Sequence, residues 1–275
     1  MVKQSESSKA GAVPTPPLTA EQVAPMLNRA DIILTHGSDP PARVIRWVTH
    51  SYWNHVAAVA LLSDAATGDP QGYQRTFILE AEAGRGVDIH PVDKYLKNGQ
   101  DLAILRFPAG ALPAEPHGTD FLRRVRGFVL EEIDAEYGYG TILKILDKAL
   151  GPLGWLLRPI IRAVRVATSF NRKKAINDFI CSGVVQHAYY RACFGVDPAK
   201  VEYWDDFFQD VEKRRNLIVS QEIRDTMDFE ATFDSVKEYL KETIPADFSR
   251  AAAAGRLHCV AQRIKGVWQE ELTEV

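Results

Sequence analysis

The sequence predicts an α+β protein, with an antiparallel sheet packed against helices. Three observations lead there. Short apolar runs separated by turns fill residues 30–107, and strands joined by turns and short loops favour antiparallel pairing over strand–helix–strand units. Helical spacing of apolar residues takes over after residue 120. A hydrophobic fraction of 46% and a charged fraction of 25% over 275 residues are globular values, sufficient for one large core. They exclude a largely disordered or collagen-like chain. With 33 Lys and Arg against 36 Asp and Glu, the net charge is −3, so no globally basic surface exists for nucleic acid and no nucleic-acid partner is expected.

The N-terminal residues 1–22 are rich in Ser, Pro and Ala and read as a flexible leader without the apolar middle of a secretory signal. The expectation is a cytoplasmic protein, or one exported by a non-classical or dedicated route. Residues 23–275 then form one domain. A short helix over 23–29 follows the cap signal of Thr19. Residues 30–35 read as a buried strand. After Gly37, Pro40 and Pro41, residues 42–49 read as a short helix with Val44, Ile45, Trp47 and Val48 available for packing. Strands are expected over 55–62, 76–81, 86–89 and 102–107, and an amphipathic helix over 120–133, with Phe121, Val125, Phe128 and Val129 on one side. Residues 180–194 are a buried helix, 221–242 an exposed one, and 257–261 a last strand. An apolar, basic stretch over 141–175 breaks the pattern and reads as a cap-like insertion.

Three residues could carry chemistry. Cys181 lies where a loop turns into a helix; there the positive end of the macrodipole stabilises a thiolate. The alternative is a buried structural cysteine, the commoner fate of a lone Cys in an apolar helix. His55 begins a strand, where its ring can meet another element and act as a general base toward a thiol; a surface histidine is the alternative. His187, six residues after Cys181, has the wrong helical spacing to serve instead. Glu80 sits inside the apolar strand Phe77-Ile78-Leu79-Glu80-Ala81. A buried carboxylate there needs a partner, and a histidine across the sheet is a natural one, oriented as in hydrolytic triads. Solvent exposure of Glu80 is the alternative, with Glu82 and His90 as rival third members. Cys181, Cys193 and Cys259 make neither a disulfide framework nor a CxxC pattern.

In order, these segments resemble the circularly permuted papain-like cysteine hydrolases, more narrowly the YiiX/YaeF-type branch of the NlpC-like superfamily. Asp31-Ile32-Ile33-Leu34 is similar to the family's opening Gly-Asp-Ile-Ile strand, with Ala30 where Gly is usual. His50-Ser51-Tyr52-Trp53-Asn54-His55-Val56 is similar to the segment of the catalytic His. Leu79-Glu80-Ala81, with Gly86-Val87 and Pro91-Val92, is similar to the segment of the third residue, and Cys181-Ser182-Gly183-Val184-Val185 to the nucleophile block. Glu136-Tyr137-Gly138-Tyr139 and Ile244-Pro245-Ala246-Asp247-Phe248 are weaker matches. Gly183 and Gly138 depart from the family's usual Glu and Asp.

The resemblance implies catalysis by Cys181, His55 and Glu80 through an acyl-enzyme, without metal or organic cofactor. Tyr137 and Trp53 are the candidates for substrate contact; a packed aromatic in a Gly-rich turn is the equal alternative for Tyr137. The expected function is a cysteine hydrolase, an amidase or peptidase acting on peptide or peptidoglycan amides. The alternatives are a lipid-directed acyltransferase or thioesterase at a membrane surface, a delivered antibacterial effector, and a non-catalytic binding module. Residues 149–177 hold six basic side chains, Arg158, Arg162, Arg165, Arg172, Lys173 and Lys174, and no acidic one. An apolar stripe of Leu157, Ile160, Ile161 and Val164 runs beside them. Over 155–174 that pattern fits peripheral membrane contact, or else a cap helix packed on the domain.

Overall fold

Residues 30–61 build the centre of the fold. This computed structural model describes residues 19–61, 76–82, 85–96, 99–108, 117–131, 136–137, 178–179, 181–196 and 244–269. The chain enters through α1 (Ala20–Val23) and a 3₁₀ turn, Ala24–Met26. Helix α1 starts three residues earlier than the sequence suggests, because Thr19 and Gln22 cap it reciprocally: the Gln22 N–H donates to Thr19 Oγ1 at 3.3 Å and the Thr19 N–H to Gln22 Oε1 at 2.7 Å. β1 (Ile32–His36) follows, then α2 (Pro40–Thr49), whose Asp39 cap accepts the Ala42 N–H at 2.7 Å ahead of two prolines.

β2 (His55–Leu61), β3 (Phe77–Glu82) and β4 (Gly86–Pro91) form an antiparallel meander beside β1. After the four-residue α3 (Asp93–Leu96), β5 (Asp101–Arg106) pairs with the other side of β1. α4 (His117–Glu131) leads to β6 (Glu136–Tyr137), which pairs in parallel with β7 (Asp178–Phe179). α5 (Cys181–Val196), α6 (Pro245–Ala253), β8 (His258–Ile264) and β9 (Val267–Gln269) complete the described elements. The main sheet has seven strands in the order β4-β3-β2-β1-β5-β8-β9, every neighbour antiparallel. The class is α+β.

Both faces of the sheet are covered, which explains why its central strands read as apolar runs rather than alternating ones. Ile32, Leu34, Val56, Ala58, Leu79, Ala103 and Leu105 pack with Val125 and Val129 of α4, Val184 and Ala188 of α5, and Phe248 of α6. On the other face, Ile33, Ala57, Val59, Ile78 and Ile104 meet Val23, Leu27, Tyr95, Leu96 and Trp268. Arg106 closes the entrance of β1: Nε and Nη2 donate to Asp31 at 2.8 and 2.7 Å.

Several expectations shift. Trp47 is 65% exposed and Val44 is exposed too, because the cap and prolines phase α2 so that Ala42 and Thr49 face inward. The Pro245–Asp247 segment opens a helix that the sequence reading did not assign: Asp247 accepts the Ile244 N–H at 3.0 Å and so caps α6, which precedes β8. α3 and β9 have no counterpart in the sequence reading, being too short to show a period. Ala30, where the resemblance expects glycine, takes the left-handed φ of 64° that glycine accommodates without strain. The insertion at 141–175, including 155–174, and residues 211–242 lie outside the described residues. Among the described residues no helix is long and apolar enough to cross a membrane.

Candidate active site

The loop before β2 is fixed from both ends, and this sets His55. His50 caps α2 in the left-handed conformation, its N–H donating to Arg46. The Asn54 N–H donates to the Thr35 carbonyl at 3.1 Å, and its side-chain Oδ1 accepts the Gly37 N–H at 2.5 Å. Gly37 permits this approach, since a Cβ there would lie 3.3 Å from Ala42 Cβ and 3.4 Å from Asn54 Nδ2. His55 thus enters the sheet at a defined position. On the neighbouring strand Glu80 stands opposite Ala57.

The histidine's Nε2 lies 2.6 Å from Glu80 Oε2. The same ring is hydrogen-bonded to the thiol of Cys181, the first residue of α5. With Nε2 committed to Glu80, the nitrogen left for the thiol is Nδ1. Cys181 also accepts from the backbone N–H groups of Val56 and Ser182. The structure therefore brings Cys181, His55 and Glu80 into one hydrogen-bonded chain. Glu82 and His90, the rival third members, stand beside it: Glu82 is bonded to Lys94, and His90 Nε2 lies 3.6 Å from Glu82 and 4.0 Å from Glu80.

The electrostatics favour charge separation. Burial alone would push the Cys181 thiol up, but the His55 cation and the two N–H groups outweigh it and hold its pKa below the ordinary thiol value. Burial would likewise lower His55; the thiolate and Glu80 reverse this and raise it to about 10. Glu80 is fully buried, which would raise its pKa, yet His55 and Lys94 hold it down at about 2. All three shifts act in the direction of thiolate, imidazolium and carboxylate, the charge pattern that makes a thiol a nucleophile.

Lys94 and Tyr95 are the site residues that sequence reasoning missed. Lys94 Nζ donates to Glu80 Oε1 at 2.7 Å, and the Tyr95 hydroxyl donates to Glu80 Oε2. The one available signal was the cost of burying Glu80 with a single partner. Glu80, Glu82 and His90 also bring three potential metal-ligand atoms within 4.8 Å of one another, but the Lys94 ammonium is already bonded to both carboxylates and supplies the positive charge a cation would bring.

Trp53 is 4% exposed and packed in the same core cluster as Cys181, with Tyr52 edge-on at 5.0 Å. So little of the ring is exposed that it packs in the core rather than facing solvent. Tyr137 lies on β6 opposite Phe179, two residues before Cys181, so its backbone borders the entrance of α5. No family model matches the chain, and no curated protein matches it.

Proposed function

We propose that this protein is a cysteine hydrolase of permuted papain-like architecture that works through an acyl-enzyme on Cys181, with amides of peptides or peptidoglycan stems as its substrate class. One observation carries the reading. A histidine at a strand entrance touches the thiol at a helix start and, through its other nitrogen at 2.6 Å, a buried carboxylate. Nucleophile, base and orienting group in one chain is the arrangement that acyl transfer requires. The chain order His55, Glu80, Cys181 and the packing of α5 against β2 and β3 support the permuted arrangement.

In this reading the Cys181 thiolate attacks the carbonyl carbon, and the carbonyl oxygen takes the negative charge. The His55 imidazolium gives its proton to the leaving amine as the C–N bond breaks, leaving a thioester. A water, deprotonated by His55, then attacks the thioester and releases the acid and the thiol. Glu80 holds the ring orientation and stabilises its cation throughout.

Intact-mass spectrometry with panels of muropeptides and acyl lipids tests this. The expected result is an acyl adduct on Cys181 with the muropeptides, lost in Cys181→Ala. An adduct from acyl lipids alone would replace the amide substrate with a lipid one. A chain that forms no adduct, and whose Cys181 alkylates no faster than Cys259, is not such an enzyme.

A further inference from the structure

Resting on that reading, we propose that Lys94 and Tyr95 are positioning residues of the same site, a clamp on Glu80 that sets the charge its carboxylate presents to His55 and so the pH at which Cys181 becomes a nucleophile. The geometry is complete on both oxygens. Oε2 accepts from His55 Nε2 at 2.6 Å and from the Tyr95 hydroxyl, while Oε1 accepts from Lys94 Nζ at 2.7 Å. A fully buried carboxylate with only the histidine would leave acceptor sites empty, which is unfavourable away from water. The clamp removes that cost and also fixes the carboxylate's rotation relative to the imidazole.

The clamp is rigid. Val92 donates its N–H to Thr76 at 2.8 Å, just before β3, and Tyr95 donates its own to Val92 at 3.0 Å. From β8, Arg263 donates to the carbonyls of Leu96 and Tyr95 at 2.8 and 2.7 Å. The Tyr95 and Leu96 side chains are buried in the core on that face of the sheet. So α3 is fastened to the start of β3 and to β8, which holds the backbone of Lys94 and Tyr95 beside Glu80.

Every charged or titratable group facing Glu80 among the described residues enters the balance. His55 comes from β2, Lys94 and Tyr95 from α3, His90 from β4 with Asp88 3.9 Å behind it, and Glu82 from β3 itself. Cys181 on α5 acts through His55. Glu80 and Glu82 lie side by side, and Lys94 is bonded to both. Without that cation the two carboxylates would compete for a proton. If Glu80 took the proton, His55 would lose its anion. Lys94 keeps that proton off Glu80, and its loss raises the pH at which the thiolate forms.

The test is the rate of Cys181 alkylation by iodoacetamide against pH, with near-UV circular dichroism to confirm folding. In Lys94→Met the midpoint for thiolate formation should move up by about one pH unit, and in Lys94→Arg it should stay with the wild type. A residue that only supports the fold would lower the rate at every pH and leave the midpoint in place. An unmoved midpoint in folded Lys94→Met overturns the inference, as does an equal shift in Lys94→Arg. If Lys94→Met does not fold, Tyr95→Phe decides: losing a donor to Oε2 should move the midpoint the same way by a smaller amount, and no movement overturns the proposal. A wild type with no such midpoint brings down the catalytic reading and this inference with it. A wild-type midpoint that the variants leave unmoved removes only the clamp.

Discussion

Cys181 and Cys259 are buried to similar depth, 4% and 9% exposed, and both belong to the same core cluster. Their chemistry diverges. Burial raises the Cys259 thiol to about 11, with only a hydrogen bond at Ala261 to oppose it. At Cys181 the same penalty is overcome by a histidine and two N–H groups. Depth therefore does not decide which thiol is reactive. The difference lies in what each element end delivers: α5 starts beside the entrance of β2, where a titratable ring is held by a carboxylate, whereas Cys259 sits on β8 opposite Leu105.

The largest expected effect breaks the comparison outright. At pH 7 iodoacetamide should label Cys181 faster than Cys259 by about a hundredfold, since thiolate populations differ by more than that and the lower-pKa thiolate is intrinsically a weaker nucleophile. In His55→Ala most of that ratio should vanish while Cys259 labels as before, read by peptide mass spectrometry. Equal rates in the wild type would mean that the polar chain at α5 does not activate its thiol.

Stability against pH sharpens the contrast. Glu80 is depressed from 4.5 to about 2, so its contribution is whole above about pH 4.5 and lost as the pH falls toward 2. His55 is raised from 6.5 to about 10, so its contribution is whole below about pH 6.5 and lost as the pH climbs toward 10. Denaturation midpoints should show the greatest advantage of wild type over His55→Gln between those limits, narrowing on both sides. Cys259, raised from 9.0 to about 11, lowers stability above about pH 9 in both proteins alike and so cancels from their difference. Parallel curves for the two proteins would show that the pair is not linked to folding.

The smallest effect is at the other thiol. Cys259→Ala removes one buried atom and should cost about 1 kcal/mol in a urea melt, with Cys181 labelling unchanged. A fall in that labelling would show that β8 and the start of α5 are coupled.

The sheet was legible because its strands bury both faces: runs such as Ile32-Ile33-Leu34 and Leu102-Ala103-Ile104-Leu105 leave no polar alternative. Cys181, His55 and Glu80 each stood out as a chemical group against such a background. Lys94 did not, since a lysine in a four-residue helix has no period, and its relation to Glu80 exists only once β3, β4 and α3 fold back on one another. Trp53 and Trp47 could not be told apart in the sequence, for a shared reason. The sequence presents both as large apolar rings, and only the turn at His50 and the phase of α2 decide that the first goes inside and the second outside.

The strand order has a further consequence, for self-association. Among the described strands, the apolar segments of β1, β2 and β5 are those most prone to stack with copies of themselves, and each has a hydrogen-bonded neighbour on both sides. The outer positions fall to β4 and β9. β4 ends at Pro91, which has no N–H to offer another chain, and turns the carboxylate of Asp88 outward; β9 is three residues long. Short, interrupted or charged edges are poor templates for a foreign strand, so the order in which the strands lie keeps these apolar segments from recruiting their own kind.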